Sequence, residues 1–457
     1  MSGSAFPGPP AVGSRHRVVI IGGGFGGLYA AKELGKDPRV DLTLIDRRNF
    51  HLFQPLLYQV ATGALSPGEI AQPLRSILRR NANTTVLLGD ARKIDAEQRL
   101  VVLSDGGPIA YDTLIVATGA RHSYFGHDDW APLAPGLKTF EDAIEIRRRI
   151  LIAFEAAERE AGLDRRNEWL GFVIVGGGPT GVELAGALGE IAHDTLRRDF
   201  RTIDSRSARI VLVEALERIL PTYPTSMSRS AARQLERLYV TVRTGTRVTA
   251  IDDGGVTVSV AAGRDGGERD ERIPARTVLW AAGVLASGFG RDVAAATGAA
   301  TDKAGRIVVQ PDLTIAGHPE ILVIGDAAVQ PWKAGRAVPG VAQGAIQGGK
   351  YAARSVRRRL AGQPARPFRY QDRGDVAVIG RLAGVTNIGW LGPLGRQSGL
   401  PAWLLWLGIH IAYLIGFANR LVVIVRWAWS FVTHGRGSRL ITNEPLLPEI
   451  EEPQPPA

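Results

Sequence analysis

The 457-residue chain contains no cysteine. Disulfides, iron–sulfur clusters, thiolate zinc sites and any redox-active dithiol are therefore excluded outright. Lysine is scarce, found only at 32, 36, 93, 138, 303, 333 and 350, so arginine dominates the 55 basic residues that outnumber 45 acidic ones and give a net charge of +10. We read the arginine excess as a GC-rich bacterial coding bias before any functional signal. Such a charge suits nucleic acid, anionic lipid or anionic cofactors, and by itself leaves the three open. Mean hydropathy is low too, at +0.01, which excludes a polytopic membrane protein. The first sixteen residues are rich in Gly, Pro and Ser, with no apolar h-region and no arginine-rich amphipathic helix. They read as neither a secretory signal nor a transit peptide, so the globular part is expected to face the cytoplasm. With 45% hydrophobic residues the chain is globular, and its length suggests two or three domains.

What is present is organised around residues 17–46, RVVIIGGGFGGLYAAKELGKDPRVDLTLID. An apolar run from Val18 to Ile21 enters Gly22, Gly24 and Gly27 in the order GxGxxG, and an alanine-rich helical segment follows. Strand, tight turn and helix in that order put backbone N–H groups and the positive end of a helix dipole where a pyrophosphate can sit. A second strand, Asp41 to Ile45, ends at Asp46, where a carboxylate can accept hydrogen bonds from a ribose. The pattern returns further on. A strand from Phe172 to Val175 leads into Gly176, Gly178 and Gly181 within GGGPTGVELAGAL, and the strand Ile210 to Val213 ends at Glu214. Two such units are far more specific than one, and point to two different dinucleotides. Glu214 favours a free 2′-hydroxyl, hence NADH, because a carboxylate repels a 2′-phosphate; Arg218, expected one helical turn on, keeps some NADPH use open.

Between and after these units the pattern is legible in outline. Phe50, Phe53, Gln54, Leu56, Leu57 and Tyr58 form an unusually apolar loop, either covered by another domain or lining a cofactor ring or an apolar substrate. A helix is expected from Glu69 to Arg80, short alternating strands from 84 to 116 ending in Ala117, Thr118 and Gly119, and a helix from Phe140 to Ala161 with Arg147, Arg148 and Arg149 on a solvated face. Strands over 250–260 and 272–280 end in WAAG, the counterpart of ATG, and a buried strand from Ile321 ends in Gly325 and Asp326. That Asp either accepts from a cofactor hydroxyl or caps the next helix.

From Ala402 the sequence runs AWLLWLGIHIAYLIGFANRLVVIVRWAWSFV. The stretch from Ala402 to Ala418 would be about 25 Å long as a helix, short of the roughly 30 Å hydrocarbon core. Trp403, Trp406, His410, Tyr413 and Phe417 make a stripe at helical spacing; Asn419, Arg426, Ser430 and Thr433 share one later face, and Leu421, Val425, Ala428 and Val432 another. Two helices lying in one leaflet fit this pattern best, through residues 402–432 on an anionic lipid surface, with a buried or dimer helix and a single span as alternatives. His410 reads as a satisfied interface histidine rather than a ligand. The ending NEPLLPEIEEPQPPA is expected to be a flexible tail.

The two fingerprints with Asp46 and Glu214, the ATG and AAG turns and the Gly325–Asp326 pair resemble the two-dinucleotide-binding flavoprotein superfamily, over most of residues 15–350. Without cysteine, its disulfide reductases and sulfide:quinone reductases are removed. VAQGAIQGGKYAA at 341–353 and FHLFQPLLYQVATG at 50–63 are similar to segments of the type II NADH:quinone oxidoreductases. The resemblance implies an α/β fold of two nested Rossmann-like domains with membrane-associating C-terminal helices. Its expected partition is a flexible 1–14, an FAD domain over 15–138 and 301–355, an NADH domain over 139–300, a membrane-anchoring 356–440 and a tail from 441. It implies non-covalent FAD held by Gly22, Gly24, Phe25, Gly26, Gly27, Asp46, Arg47, Gln54, Thr62, Ala117, Thr118, Gly119, Gly325, Asp326, Ala342 and Gln343. NADH would lie on Gly176, Gly178, Pro179, Thr180, Gly181, Glu183, Glu214, Ala282 and Gly283, with Glu183 at the nicotinamide edge. Gln343 and Gln347, four apart, would with Phe53 and Tyr58 receive a quinone, neutral amides donating to its carbonyl without placing a charge in an apolar slot.

The activity so implied is NADH oxidation through FAD, with two-electron, ping-pong reduction of a membrane quinone, menaquinone being the expected one, and no proton pumping. No metal and no nucleic acid enter it; a homodimer stays open, and the place is the cytoplasmic face of the inner membrane. The alternatives are an NADH-dependent reductase of a soluble carrier such as ferredoxin, and a redox-gated binding protein whose basic surface contacts nucleic acid.

Overall fold

The computed structural model describes residues 15–262, 267–333, 336–433 and 435–442, so the expected flexible N-terminus and tail lie outside the described residues. The chain divides into two compact units, each assembled from three separated segments: Met1–Leu52, Ala71–Arg121 and Val284–Asp372 in the first; Phe53–Ile70, His122–Gly283 and Arg373–Ala457 in the second. Residues 356–372 stay with the first unit, because the helix Ala342–Leu360 runs unbroken through position 356.

The first unit is built on a six-stranded sheet in the order Thr314–Ile315, His318–Val323, Thr113–Val116, His16–Ile21, Val40–Asp46, Thr84–Leu88. All neighbours are parallel except the first pair. Strands covered on both faces read as continuous apolar runs. Accordingly Val18, Ile20, Leu42, Leu44, Leu114, Val116 and Leu322 have no exposed surface. The expected helix over 69–80 is not there: a 3-10 turn at Pro67–Glu69 is followed by a strand, Ala71–Pro73, paired with Phe50–Leu52, and only Leu74–Leu78 is helical. Pro73 is the physical reason, since proline favours the start of a helix and breaks its interior.

The second unit repeats the plan with a parallel sheet in the order Val240–Arg243, Arg209–Val213, Gly171–Val175, Thr277–Trp280. An antiparallel sheet of Thr246–Asp252, Gly255–Ala262 and Gly267–Pro274 packs with it around Val173, Val175, Val256, Val258 and Trp280. The helix Phe140–Arg159 is as expected at its start, where Thr139 and Asp142 form a reciprocal cap. Its arginines are not all solvated: Arg148 and Arg149 pair with Glu145, whereas Arg147 is 6% exposed and donates to the Ser438 carbonyl. The C-terminal region forms two helices, Leu400–Tyr413 and Phe417–Thr433, separated at Gly416, whose φ is +92°. Among the described residues no helix is long and apolar enough to cross a membrane.

Candidate functional site

Each unit carries one glycine turn, and the two are built alike. Gly22 and Gly176 take φ of +101° and +109°, a conformation side chains disfavour. Their N–H groups donate at 2.8 Å to a carbonyl at the end of the next strand, that of Ile45 in one unit and of Val213 in the other. Ala117 and Ala281, opening the ATG and AAG turns, donate at 2.8 Å to the carbonyls of Ile21 and Val175. A Cβ on Gly27 would stand 1.8 Å from the Gly22 carbonyl oxygen, and one on Gly181 would stand 1.9 Å from that of Gly176. Helix and strand can therefore approach this closely only through glycine. Gly24 and Gly178 face open space, and the helices they begin, Phe25–Leu34 and Pro179–Glu190, have no side chain capping their first turn. Those amides are thus available to an anion.

The acids match as well. Asp46 accepts from the Gly23 N–H (2.5 Å) and the Arg48 N–H (2.7 Å). Glu214 accepts from the Gly177 N–H (2.6 Å) and the Leu216 N–H (2.8 Å). Each carboxylate is so fixed beside its glycine turn. Arg218 is not on a helix, as 216–221 is irregular, and it donates to the Thr225 hydroxyl and the Pro221 carbonyl. In the first unit Asp326, in the turn Gly325–Ala327, has no hydrogen-bond partner among the described residues and caps no helix. An unpaired carboxylate, uncapped amides and an open Gly24 fit the hydroxyl and phosphate groups of a flavin dinucleotide. Thr118 accepts a hydrogen bond from Ser287 (2.6 Å), Gly26 packs against Ile324, and Arg47 is exposed.

Ala342 is the first residue of the helix Ala342–Leu360, and Gln343 and Gln347 lie one turn apart on it. Gln347 is not a free amide: its Nε2 donates to the Gln371 carbonyl (2.8 Å) and its Oε1 accepts from the Gln371 N–H (2.9 Å), leaving one N–H for another acceptor.

The second unit holds the remaining residues singled out from sequence. Pro179 and Thr180 are exposed on the first turn of their helix, and the Gly283 turn at +70° packs against Phe125, next to Ala282. Gln54 donates to the Lys138 carbonyl at 3.2 Å. Thr62 donates to the Tyr58 carbonyl at 2.8 Å. Phe53 and Tyr58 are buried, Phe53 edge-on to the His410 ring. The supposed loop is in part a helix, Leu57–Ala61. Glu183 keeps part of its surface accessible while its carboxyl group is densely surrounded; burial pushes its pKa up to about 8, opposed by the Val378 N–H and by the Trp406 indole, which approaches without a hydrogen bond of ordinary geometry. Burial, and then the Glu183 charge, also raise the Tyr58 phenol.

Sequence reasoning missed what joins these groups. Gln59 donates to the Tyr58 oxygen (2.9 Å) and accepts from the Trp427 indole (2.7 Å). Arg436 pairs with Glu190 (2.8 Å) and donates to the Thr62 carbonyl (3.2 Å). His51 was also passed over: it is buried against the first glycine turn, its Nδ1 on the Gly23 carbonyl at 3.0 Å, and burial lowers its pKa to about 4. His410 is satisfied as expected, through the Trp406 carbonyl at 2.8 Å. The only signals available were a histidine and a glutamine inside apolar segments.

Two parallel-sheet units, each with a glycine turn and a turn-bound acid, define an oxidoreductase that handles two dinucleotides. The comparisons agree. A family profile described as Pyridine nucleotide-disulphide oxidoreductase matches residues 16–349. The type II NADH:quinone oxidoreductase Ndh of Mycobacterium tuberculosis is 47% identical over 94% of this chain and 91% of its own. NdhA of the same organism is 47% identical over 97% and 93%. The solved structure of NDH2 from Plasmodium falciparum in complex with NADH is similar with a TM-score of 0.81, at 18% identity, over 91% of this chain and 98% of that one. The chain belongs to the pyridine nucleotide-disulphide oxidoreductase family, among its type II NADH:quinone oxidoreductases, and it does so without the cysteines that the family's name implies.

Proposed function

We propose that this chain is a membrane-attached, non-pumping NADH:quinone oxidoreductase. The observation that carries this is the pair of matched turns, one for each dinucleotide, in a chain 47% identical to named enzymes of that activity. Bound FAD would supply the two-electron chemistry, accepting hydride from NADH and returning the electrons to a quinone. The chain's own work is positioning. The uncapped amides after Gly24 and Gly178 bind the pyrophosphates, Asp46 and Glu214 the riboses, and Asp326 a ribityl hydroxyl. Glu183 stands at the nicotinamide edge. Gln343 and the remaining N–H of Gln347 donate to the quinone carbonyl, and Phe53 and Tyr58 give apolar surface. Exchange is ping-pong, with menaquinone as the oxidant.

Attachment to the cytoplasmic leaflet rests on the helix Phe417–Thr433, whose polarity is turned outside in. Arg426 pairs with Glu69 (2.9 Å) and Trp427 bonds to Gln59, so polar groups face the protein. Leu421, Val425 and Val432 are exposed, as are Trp390 and Leu394 before it, with Trp429 68% and Val432 75% accessible. Exposed apolar and aromatic side chains of this kind suit the acyl boundary of a bilayer.

The test is steady-state NADH oxidation by detergent-purified enzyme against menaquinone and ubiquinone analogues, combined with Gln343→Ala. The variant is expected to lose at least about tenfold in quinone reduction, as befits one charge-free donor hydrogen bond, while NADH still bleaches the flavin at the normal rate. Equal loss of both half-reactions would remove Gln343 from the quinone site. A second expected outcome concerns nucleotide choice. Glu214→Ala should lower kcat/KM for NADH by about tenfold and raise the NADPH-to-NADH ratio by at least as much, since it removes both a ribose acceptor and a charge that repels a 2′-phosphate. An unchanged ratio in parallel assays would show that Glu214 only ties down its turn.

A further inference from the structure

Behind the end of the helix Ala342–Leu360 lies an open cavity of about 830 Å³ that, apart from Gln371, the backbone partner of Gln347, none of the chemistry above uses. Its walls carry five arginines, Arg354, Arg357 and Arg358 from the helix and Arg366 and Arg369 from the irregular stretch that follows, all within the first unit. Their charges are unevenly answered. Arg357 reaches the carboxylates of Glu33 and Asp37 (3.7 Å each), and Arg358 donates to the Pro364 carbonyl (3.0 Å). Arg354, Arg366 and Arg369 have no carboxylate partner among the described residues, and all three are exposed. At the base lies Ser355, 3% exposed, its hydroxyl beside the Tyr351 phenol and sealed from the cavity. The rest of the base is apolar, with Phe368 8% exposed.

Guanidinium groups held near one another repel, and this cost is relieved by an anion that several of them can bind at once in bidentate geometry. We infer that this cavity is a binding site for a phosphate mono- or diester carried on an apolar or aromatic body, the phosphate oxygens taken by Arg354, Arg366 and Arg369. The volume is that of a small-molecule site. The phosphate can come from a soluble molecule or from the headgroup of an anionic phospholipid; the chemistry of recognition is the same. Neither source depends on the reading of the quinone site.

The experiment uses full-length, FAD-loaded enzyme in neutral detergent with NAD⁺ saturating, so that both glycine turns are filled. Inorganic pyrophosphate is titrated calorimetrically at constant ionic strength, and binding to phosphatidylglycerol vesicles is compared with binding to phosphatidylcholine vesicles. The wild type is set against the triple variant Arg354→Gln, Arg366→Gln, Arg369→Gln. Saturable one-to-one pyrophosphate binding, weakened at least about tenfold in the variant, assigns a soluble phosphate source. Absence of pyrophosphate binding, with an arginine-dependent preference for phosphatidylglycerol of similar size, assigns the lipid headgroup. Binding that is equal in wild type and variant, or absent in both arms, overturns the inference. Should the triple variant fold without flavin, the single variants Arg354→Gln, Arg366→Gln and Arg369→Gln replace it: at least one must weaken whichever probe binds by severalfold, and if none does, the site is overturned. NADH-dependent flavin reduction should be unchanged throughout.

Discussion

Gly27→Ala is expected to give a colourless protein, and Gly181→Ala one that stays yellow but is not reduced by NADH. The two substitutions add the same methyl group at equivalent points of two equivalent turns, 1.8 Å from the Gly22 carbonyl oxygen in one and 1.9 Å from the Gly176 carbonyl oxygen in the other. No rotamer change can relieve either contact, because the clash is with backbone. Helix and strand must part by more than about an ångström, a strain of about 1–3 kcal/mol, and the amides of the helix start move with them. A displacement of that size at a positioning element can cost about a hundredfold in rate, and the same loss in affinity would strip a non-covalent flavin during purification. Flavin content from the visible absorption band and anaerobic stopped-flow reduction read the two effects separately. The assignment of one turn to FAD and the other to NADH fails if Gly27→Ala retains full flavin, or if Gly181→Ala is reduced at the wild-type rate.

That this pair could be placed from sequence reflects how local its physics is. A positive φ, a helix–strand approach and an acid at the end of the next strand are all set within about thirty residues, and each leaves a residue type behind. What could not be read depends on partners far along the chain. Arg147 looks like one of three solvated arginines, yet its guanidinium is buried on the Ser438 carbonyl, 291 residues away. Glu69 reads as the first turn of a helix, yet it answers Arg426, 357 residues on. Gln347 was recognisable by its motif, but nothing in the motif tells that the Gln371 backbone takes two of its hydrogen-bonding groups. The C-terminal helices show the opposite case. Their two faces were visible as a pattern, while which face turned inward was decided by Glu69 and Gln59, outside that pattern. The segment 50–63 was legible in its composition and its family likeness, but not in its shape. Its apolar residues divide between a strand of the first unit and a helix of the second, a division that no periodicity records.

Glu183→Gln is expected to be progressively more stable than the wild type as pH rises. Burial lifts the Glu183 pKa from the ordinary 4.5 to about 8, so between those values the folded protein holds a proton that the unfolded chain has released. Stability then falls as pH increases through that window, and the full penalty is present above about 8. His51 and His410 act with the opposite sign: burial lowers each from 6.5 to about 4, so the unfolded chain binds their protons first and stability falls as pH drops below 6.5. The two histidines outweigh the one carboxyl where the windows overlap, and these three groups together place the stability maximum of the wild type near pH 6.5. Replacing the carboxyl by an amide of the same shape removes only the alkaline limb. The melting temperature of Glu183→Gln should track the wild type at pH 5, exceed it by at least about 4 °C at pH 9, and level off above pH 8, with FAD bound in both. The same ionisation should appear as an inflection near pH 8 in the rate of flavin reduction by wild-type enzyme and be absent from the variant. A constant difference in melting temperature across the range, or an inflection that survives in Glu183→Gln, would mean that the carboxyl is solvated and ionised at neutral pH. Glu183 would then be a surface acid of the helix Pro179–Glu190 rather than a buried one at the nicotinamide edge.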